Sequence, residues 1–123
     1  MACLFCHLAD NRIIHENALA IAIYDAFPVT AHHTLIIPRR HVDEYFGLTS
    51  EEFLACHDLL KYARQAILEK DATVKGFNIG MNCGAVAGQT IFHCHIHLIP
   101  RRQGDVEMPR GGVRHVIPGK GTY

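Results

Sequence analysis

Apolar residues recur along this chain with two periods, and the two periods predict different elements. Residues 19–24 set Leu19, Ile21 and Ile23 against Ala20, Ala22 and Tyr24, and residues 77–82 set Phe77, Ile79 and Met81 against Asn78, Gly80 and Asn82. A period of two is the mark of a β-strand with one buried face. Residues 13–15 and 34–37 read as shorter strands, the second stopped at Pro38, and residues 90–99 read as the last strand, again stopped by a proline. Between them the period changes. Phe53, Cys56, Leu60, Ala63 and Ile67 step by three and four, one apolar stripe on a helix that starts near Ser50 and fades around Lys70. Thr49 and Glu52 have the spacing of a capping box, and Glu51 and Glu52 put negative charge at the positive end of the helix dipole.

Residues 3–10 can form a short helical turn with Leu4, Phe5 and Leu8 near one face. The segment beyond Arg102 is rich in glycine and proline and is assigned no regular structure. These elements predict an α+β fold, an antiparallel sheet of about five strands with one main helix and a short N-terminal helix. All of residues 1–123 are expected in one domain, with its core at about 3–102.

Composition narrows the classes of function. Lys plus Arg and Asp plus Glu are 12 each, so there is no basic footprint for duplex nucleic acid. The two basic pairs, Arg39-Arg40 and Arg101-Arg102, each follow an apolar run and a proline and read as solvated strand ends. Cys3, Cys6, Cys56, Cys83 and Cys94 are odd in number, which argues against a disulfide framework. With no secretory-type opening and no apolar run of membrane-spanning length, a soluble, cytoplasmic protein in a reducing compartment is expected.

The chemistry concentrates at His93-Cys94-His95-Ile96-His97. On a continuous strand Phe92, Cys94, Ile96 and Leu98 face the core, and His93, His95 and His97 stand together on the other face about 6.5 to 7 Å apart. One histidine on a strand is unremarkable; three on one face ask for a task. They could supply ligands to a hydrolytic zinc. They could instead include a nucleophile toward phosphorus, because an imidazole of ordinary pKa near 6.5 is mostly free base at neutral pH and also leaves readily. A nucleotide-binding module without turnover is the third possibility. Asn82, Gly84, Gly88, Gln89 and Thr90 lie just before the histidines and offer backbone and side-chain donors to anionic oxygens, which favours phosphorus. No Gly-rich P-loop with its lysine is present.

AGQTIFHCHIHLIP at residues 87–100 resembles the signature of the histidine triad (HIT) superfamily, as do FNIGMNCG (77–84), HTLIIPRRH (33–41) and the CLFC opening. The resemblance implies hydrolysis or nucleotidyl transfer at the α-phosphate of a nucleoside phosphoramidate or dinucleoside polyphosphate, with a purine nucleotide (an AMP moiety) as the bound group. It implies a homodimer whose sheets join, and no nucleic-acid or membrane partner. Residue by residue, it makes His95 the transiently nucleotidylated nucleophile, His97 its phosphate-side partner and His93 the residue that orients its neighbours. Asn82, Gly88, Gln89, Thr90 and His97 would hold the phosphate and leaving group, Asp25 the ribose hydroxyls, and Leu4, Phe5, Leu8 and Ile23 the base. No cofactor is required for the chemistry. A structural zinc on Cys3, Cys6, His41 and His93 is implied by members that carry the same Cys-x-x-Cys pair. The chain departs from the family at Ala31-His32, where Pro-Gly is usual, and in a short connection from Asp10 to Ile13. The AGQT block and PRRQGDV lean toward dinucleoside polyphosphates, while the overall length suits a phosphoramidase equally.

Overall fold

The computed structural model describes residues 3–123. Five strands form one antiparallel sheet: β1 (Ile13–Glu16), β2 (Ala20–Tyr24), β3 (Thr34–Pro38), β4 (Val74–Gly80) and β5 (Ile96–Arg102), in the order β1-β2-β3-β5-β4. One helix, α1 (Ser50–Lys70), crosses a single face. The α+β expectation is met.

The capping box is in place: the Thr49 hydroxyl accepts from the Glu52 amide at 3.1 Å and Glu52 accepts from the Thr49 amide at 2.9 Å. The buried stripe of α1, however, is Glu52, Cys56, Leu59, Ala63 and Ile67. Expected members Phe53 and Leu60 lie one step around the helix. Phe53 is 43% exposed and rests edge-on against Tyr45. Cys56, Ala63 and Ile67 are buried as expected, and Glu52 takes the place of Phe53 because its carboxylate is held by Arg40.

Beneath α1 the sheet presents Ala20, Ala22, Ile36, Ile96 and Leu98. The alanines let the helix approach, so both faces of β2 and β3 are buried, and Leu19 falls outside β2. The opposite face carries Ile21, Ile23, Leu35 and Ile37 under Phe5, held there by a 3₁₀ turn at Leu4–Cys6. Truncating a fully buried side chain such as Ile36 or Leu98 to alanine would cost about 2–5 kcal/mol.

Two strand assignments and the reading of the tail change. The strand expected over 90–99 begins only at Ile96 and, instead of stopping at Pro100, runs through it to Arg102. Pro38 has no amide to extend the β3 ladder, its carbonyl is taken by His93, and the Cys94 amide donates to Val42 at 2.7 Å instead. Phe92, expected in the core, is therefore 46% exposed. The strand expected at 77–82 runs from Val74 to Gly80, because β4 pairs with β5 as far as Val74 opposite Arg102. The tail is not structureless: Gly112–Val116 form a 3₁₀ turn against β4.

None of the four paired arginines is a free strand end. Arg39 meets Glu16, Arg40 meets Glu52, Arg101 meets Asp105 and Arg102 meets Asp71. No helix among the described residues is long and apolar enough to cross a membrane.

Candidate active site

The histidines sit on the face of the sheet away from α1. The register opposes Leu35 to His97 and Gly80 to His97, so a residue with no side chain on β4 leaves the imidazole room. The three do not converge on a common point, because each ring is tied to a different neighbour.

Those ties fix where every proton is. His95 Nδ1 lies 2.8 Å from the carbonyl of His93, and a carbonyl can only accept, so the proton is on Nδ1 and the lone pair is on Nε2. His93 Nε2 lies 2.8 Å from the carbonyl of Pro38, which leaves its lone pair on Nδ1. His33, buried at the head of β3, accepts the Val29 amide on Nδ1 at 3.1 Å and must carry its proton on Nε2. That proton is donated to His97 Nδ1 at 2.9 Å, so His97 keeps its own proton on Nε2. Burial lowers the pKa of His33, of His93 and of His97, and neighbouring histidines lower the latter two further. The result is a lone pair on His95 beside a fixed donor on His97, with ring centroids 5.3 Å apart, while the lone pair of His93 faces the cysteines.

Sequence reasoning did not assign His33. Its signal is the internal echo of HTLIIPRR and HLIPRR: two antiparallel strands, each with a histidine near its start. Asp25 joins this pair, its Oδ2 3.5 Å from His33 Nε2 and 4.0 Å from His97 Nδ1.

Among the described residues two clusters could hold a metal by composition: Cys3, Cys6, His41 and His93, and Asp25, His33 and His97. Proton order separates them. In the first, Sγ of Cys3 and Sγ of Cys6 lie 3.4 and 3.5 Å from His93 Nδ1, and Cys6 Sγ lies 3.3 Å from His41 Nδ1. Tetrahedral zinc with ordinary bond lengths sets sulfur and nitrogen ligands about 3.5 Å apart. The His93 lone pair points into the set, backed by a carbonyl on the other ring nitrogen. This cluster fits zinc. In the second, the Val29 amide claims Nδ1 of His33 and forces a proton onto the nitrogen that would bind the ion. That cluster is a proton-ordered hydrogen-bond chain.

The loop before β5 is shaped by glycines with positive φ, Gly84 at 97° and Gly88 at 100°. The Gln89 side chain is buried within it: the amide donates to the carbonyls of Asp43 and Ile91 at 2.6 and 3.1 Å, and Oε1 accepts the Gly84 amide at 2.8 Å. Asn82, Gly88 and Thr90 are exposed at its mouth. Phe5 meets His95 edge-on at 5.1 Å and is buried with Ile23, with Leu8 packed beside them, whereas Leu4 is 62% exposed.

The model of the HIT domain matches residues 8–104 of this chain. The chain belongs to the HIT family. Among relatives, it is 42% identical over 106 residues to an uncharacterized HIT-like protein of Mycoplasma genitalium, covering 81% of this chain and 73% of that one. It is 34% identical over 97 residues to the asymmetrical bis(5'-nucleosyl)-tetraphosphatase of Schizosaccharomyces pombe, covering 77% of this chain and 52% of that one. A zinc-bound histidine triad family protein from Mycobacterium smegmatis superposes with a TM-score of 0.75 at 33% identity, over 85% of this chain and 78% of the other. The HIT family thus includes nucleotide hydrolases and at least one zinc-bound member, and this HIT protein has a Cys/His cluster able to hold such an ion.

Proposed function

We propose that this HIT protein is a nucleotide hydrolase or nucleotidyltransferase acting at the α-phosphate of nucleoside phosphoramidates or dinucleoside polyphosphates. The observation that carries the reading is the 2.8 Å bond from His95 Nδ1 to the His93 carbonyl, which aims an unprotonated Nε2 out of the sheet. The Nε2 lone pair attacks phosphorus and the bond to the leaving group breaks, the leaving atom keeping its electron pair. A departing nitrogen takes one proton from solvent; a departing phosphate oxygen needs none. Water then attacks phosphorus, the bond from phosphorus to Nε2 breaks, and one proton returns to solvent. His97 donates a hydrogen bond from Nε2 toward the leaving atom, and its single proton makes it a polarising group.

The nucleoside lies between Asp25, which takes the ribose hydroxyls, and Phe5, Leu8, Ile23 and Leu4, which border the base of an AMP-like group. Asn82, Gly88 and Thr90 supply donors to the phosphate, and Gln89 contributes by holding the loop in shape. Zinc on Cys3, Cys6, His41 and His93 fastens the N-terminal turn, and with it Phe5, to the residue whose carbonyl orients His95. The metal supplies structure and takes no part in bond making. The open edge of β4 suits the sheet-to-sheet homodimer implied by the family resemblance.

Intact mass measured after rapid quenching tests the reading. Wild-type protein is expected to carry one nucleotidyl group on His95, and His95→Ala to bind mononucleotide without turnover. Full turnover by His95→Ala would sink the proposal.

A further inference from the structure

Among the described residues, one that bears a side chain holds a left-handed backbone: His32, at φ 72°. It stands third in a turn over Thr30–His33, closed by the His33 amide donating to the Thr30 carbonyl at 3.2 Å. A type II turn takes glycine at that position, because a Cβ there crowds the neighbouring carbonyl. A histidine in glycine's place needs a reason, and the reason lies in what its ring reaches.

The turn sets the proton order of the site. The Val29 amide meets His33 Nδ1 at 3.1 Å because the chain doubles back between the two residues. That contact leaves the His33 proton on Nε2, from which it is donated to His97 Nδ1 at 2.9 Å. The Asp25 amide donates to the His33 carbonyl at 2.9 Å, so Asp25 takes its place from the same segment. Beyond the turn, Thr34 is buried in β3 and its hydroxyl donates to the His32 carbonyl at 2.8 Å.

Three ties hold the turn to the rest of the molecule, one for each of its first three residues. Thr30 Oγ1 donates to the Pro100 carbonyl at 2.7 Å, and Arg102 Nη2 donates to the Ala31 carbonyl at 3.1 Å. His32 Nε2 faces Asp71 Oδ2 at 3.5 Å. The first two ties run to β5; the third runs to the residue that ends α1. Asp71 is a fixed post. Its Oδ1 accepts the Thr73 amide and hydroxyl at 3.0 and 2.6 Å, and its Oδ2 accepts Arg102 at 2.9 Å. Those bonds, the Thr73 hydroxyl first, hold its carboxyl well below the usual carboxylate range, so His32 faces an anion. The His32 ring also meets Tyr24, with centroids 6.2 Å apart, and the Tyr24 hydroxyl accepts Lys70 Nζ at 2.8 Å. Glycine would adopt the backbone conformation without strain and would make none of these side-chain contacts.

Resting on the reading of His95 as nucleophile, we propose that His32 is a positioning residue for the reaction. Its ring ties the turn to the end of α1, and the turn keeps the Val29 amide on His33 and so the His97 proton directed at the leaving atom. Backbone strain is held here for the sake of a fixed turn. Removing the ring therefore moves stability and rate in opposite directions.

The test uses the full chain, with adenosine phosphoramidate and diadenosine tetraphosphate as substrates, and compares His32→Gly with His32→Gln. Glycine removes the strain and the tie together; glutamine keeps the strain and carries an amide N–H about as far as Nε2. His32→Gly is expected to melt above the wild type while kcat falls about tenfold and KM changes less. Its ¹⁵N imidazole shifts should show the His33 proton shared between Nδ1 and Nε2. His32→Gln is expected to hold kcat within about twofold of wild type, with a single His33 tautomer. A joint fall of Tm and kcat in His32→Gly, wild-type kcat in that variant, or a His32→Gln protein as slow as His32→Gly overturns the assignment while His95-dependent turnover persists. Turnover that survives His95→Ala, or none by the wild type on either substrate, overturns the underlying reading instead.

Discussion

Replacing His33 with phenylalanine tests the proton order of the site without touching the nucleophile. His33 is buried, and its one donated proton holds His97 Nδ1 as an acceptor at 2.9 Å. Remove that donor, and the nearest group able to reverse the tautomer is the Asp25 carboxylate, 4.0 Å from the same nitrogen. A small ring rotation then lets His97 donate from Nδ1 to Asp25 and present a lone pair from Nε2 where it formerly presented a proton. Hydrogen bonds to a charged group are worth about 1.5–3 kcal/mol, and this is the energy needed to recover the active tautomer. It converts to a fall in kcat of about 10- to 150-fold. KM for a nucleoside phosphoramidate should move less than kcat, since His33 touches no substrate-binding group but His97, at 2.9 Å, and Asp25, at the longer distance of 3.5 Å. The assay pairs steady-state kinetics with ¹⁵N imidazole shifts, which read the tautomer of His97 and would not respond to a merely loosened fold. A folded His33→Phe protein with kcat within twofold of wild type, or with His97 still protonated on Nε2, refutes the reasoning.

Other perturbations reach different parts of the molecule. Glu52 is held at a pKa of about 2, below its ordinary 4.5, first by its hydrogen bonds from Arg40. A depressed carboxylate pKa stabilises the fold fully above about pH 4.5 and loses that contribution as pH falls through about 2. Thermal melts should therefore show a steeper decline over that window in wild type than in Glu52→Gln, which is the less stable of the two at pH 7. Metal analysis of Cys3→Ser and of His41→Ala should show loss of one zinc per chain with Tm lower by about 5 °C or more, and quench experiments should still find nucleotidylated His95 in the folded fraction. His32 holds φ at 72°, a conformation that costs a side-chain-bearing residue about 1–2 kcal/mol. His32→Gly is expected to raise Tm by about 4 °C, and a fall would show that the 3.5 Å contact with Asp71 outweighs the strain.

Much of the fold was readable because its signals are local. Thr49 and Glu52 announce the start of α1 within four residues, and Pro38 closes β3, whereas Pro100 lies inside β5. What escaped depends on partners distant in sequence. The strand before Ile96 broke because the His93 side chain and the Cys94 amide are drawn to Pro38 and Val42 about fifty residues earlier, and no periodicity within residues 90–99 encodes that. In the helix stripe Cys56, Ala63 and Ile67 fall where the period puts them, while Glu52 is buried in place of Phe53 because Arg40, outside the helix, holds its carboxylate. The histidine motif marked where the chemistry sits. The resemblance already grouped His93 with Cys3, Cys6 and His41, but the motif could not show that His97 turns toward His33, a residue 64 positions away. The tail, rich in glycine, reads as loop; its glycines are instead the means of close packing between Gly111, Gly121 and His115.

The groups that set the protonation of His93, His95 and His33 are the carbonyls of Pro38 and His93 and the amide of Val29. No substitution deletes a main-chain carbonyl, and only proline deletes a main-chain amide. The acid–base state of the centre is thus written into the path of the backbone. Neighbouring side chains are free to drift without erasing it, and redesign of specificity can proceed residue by residue around a nucleophile whose orientation no ordinary point mutation removes.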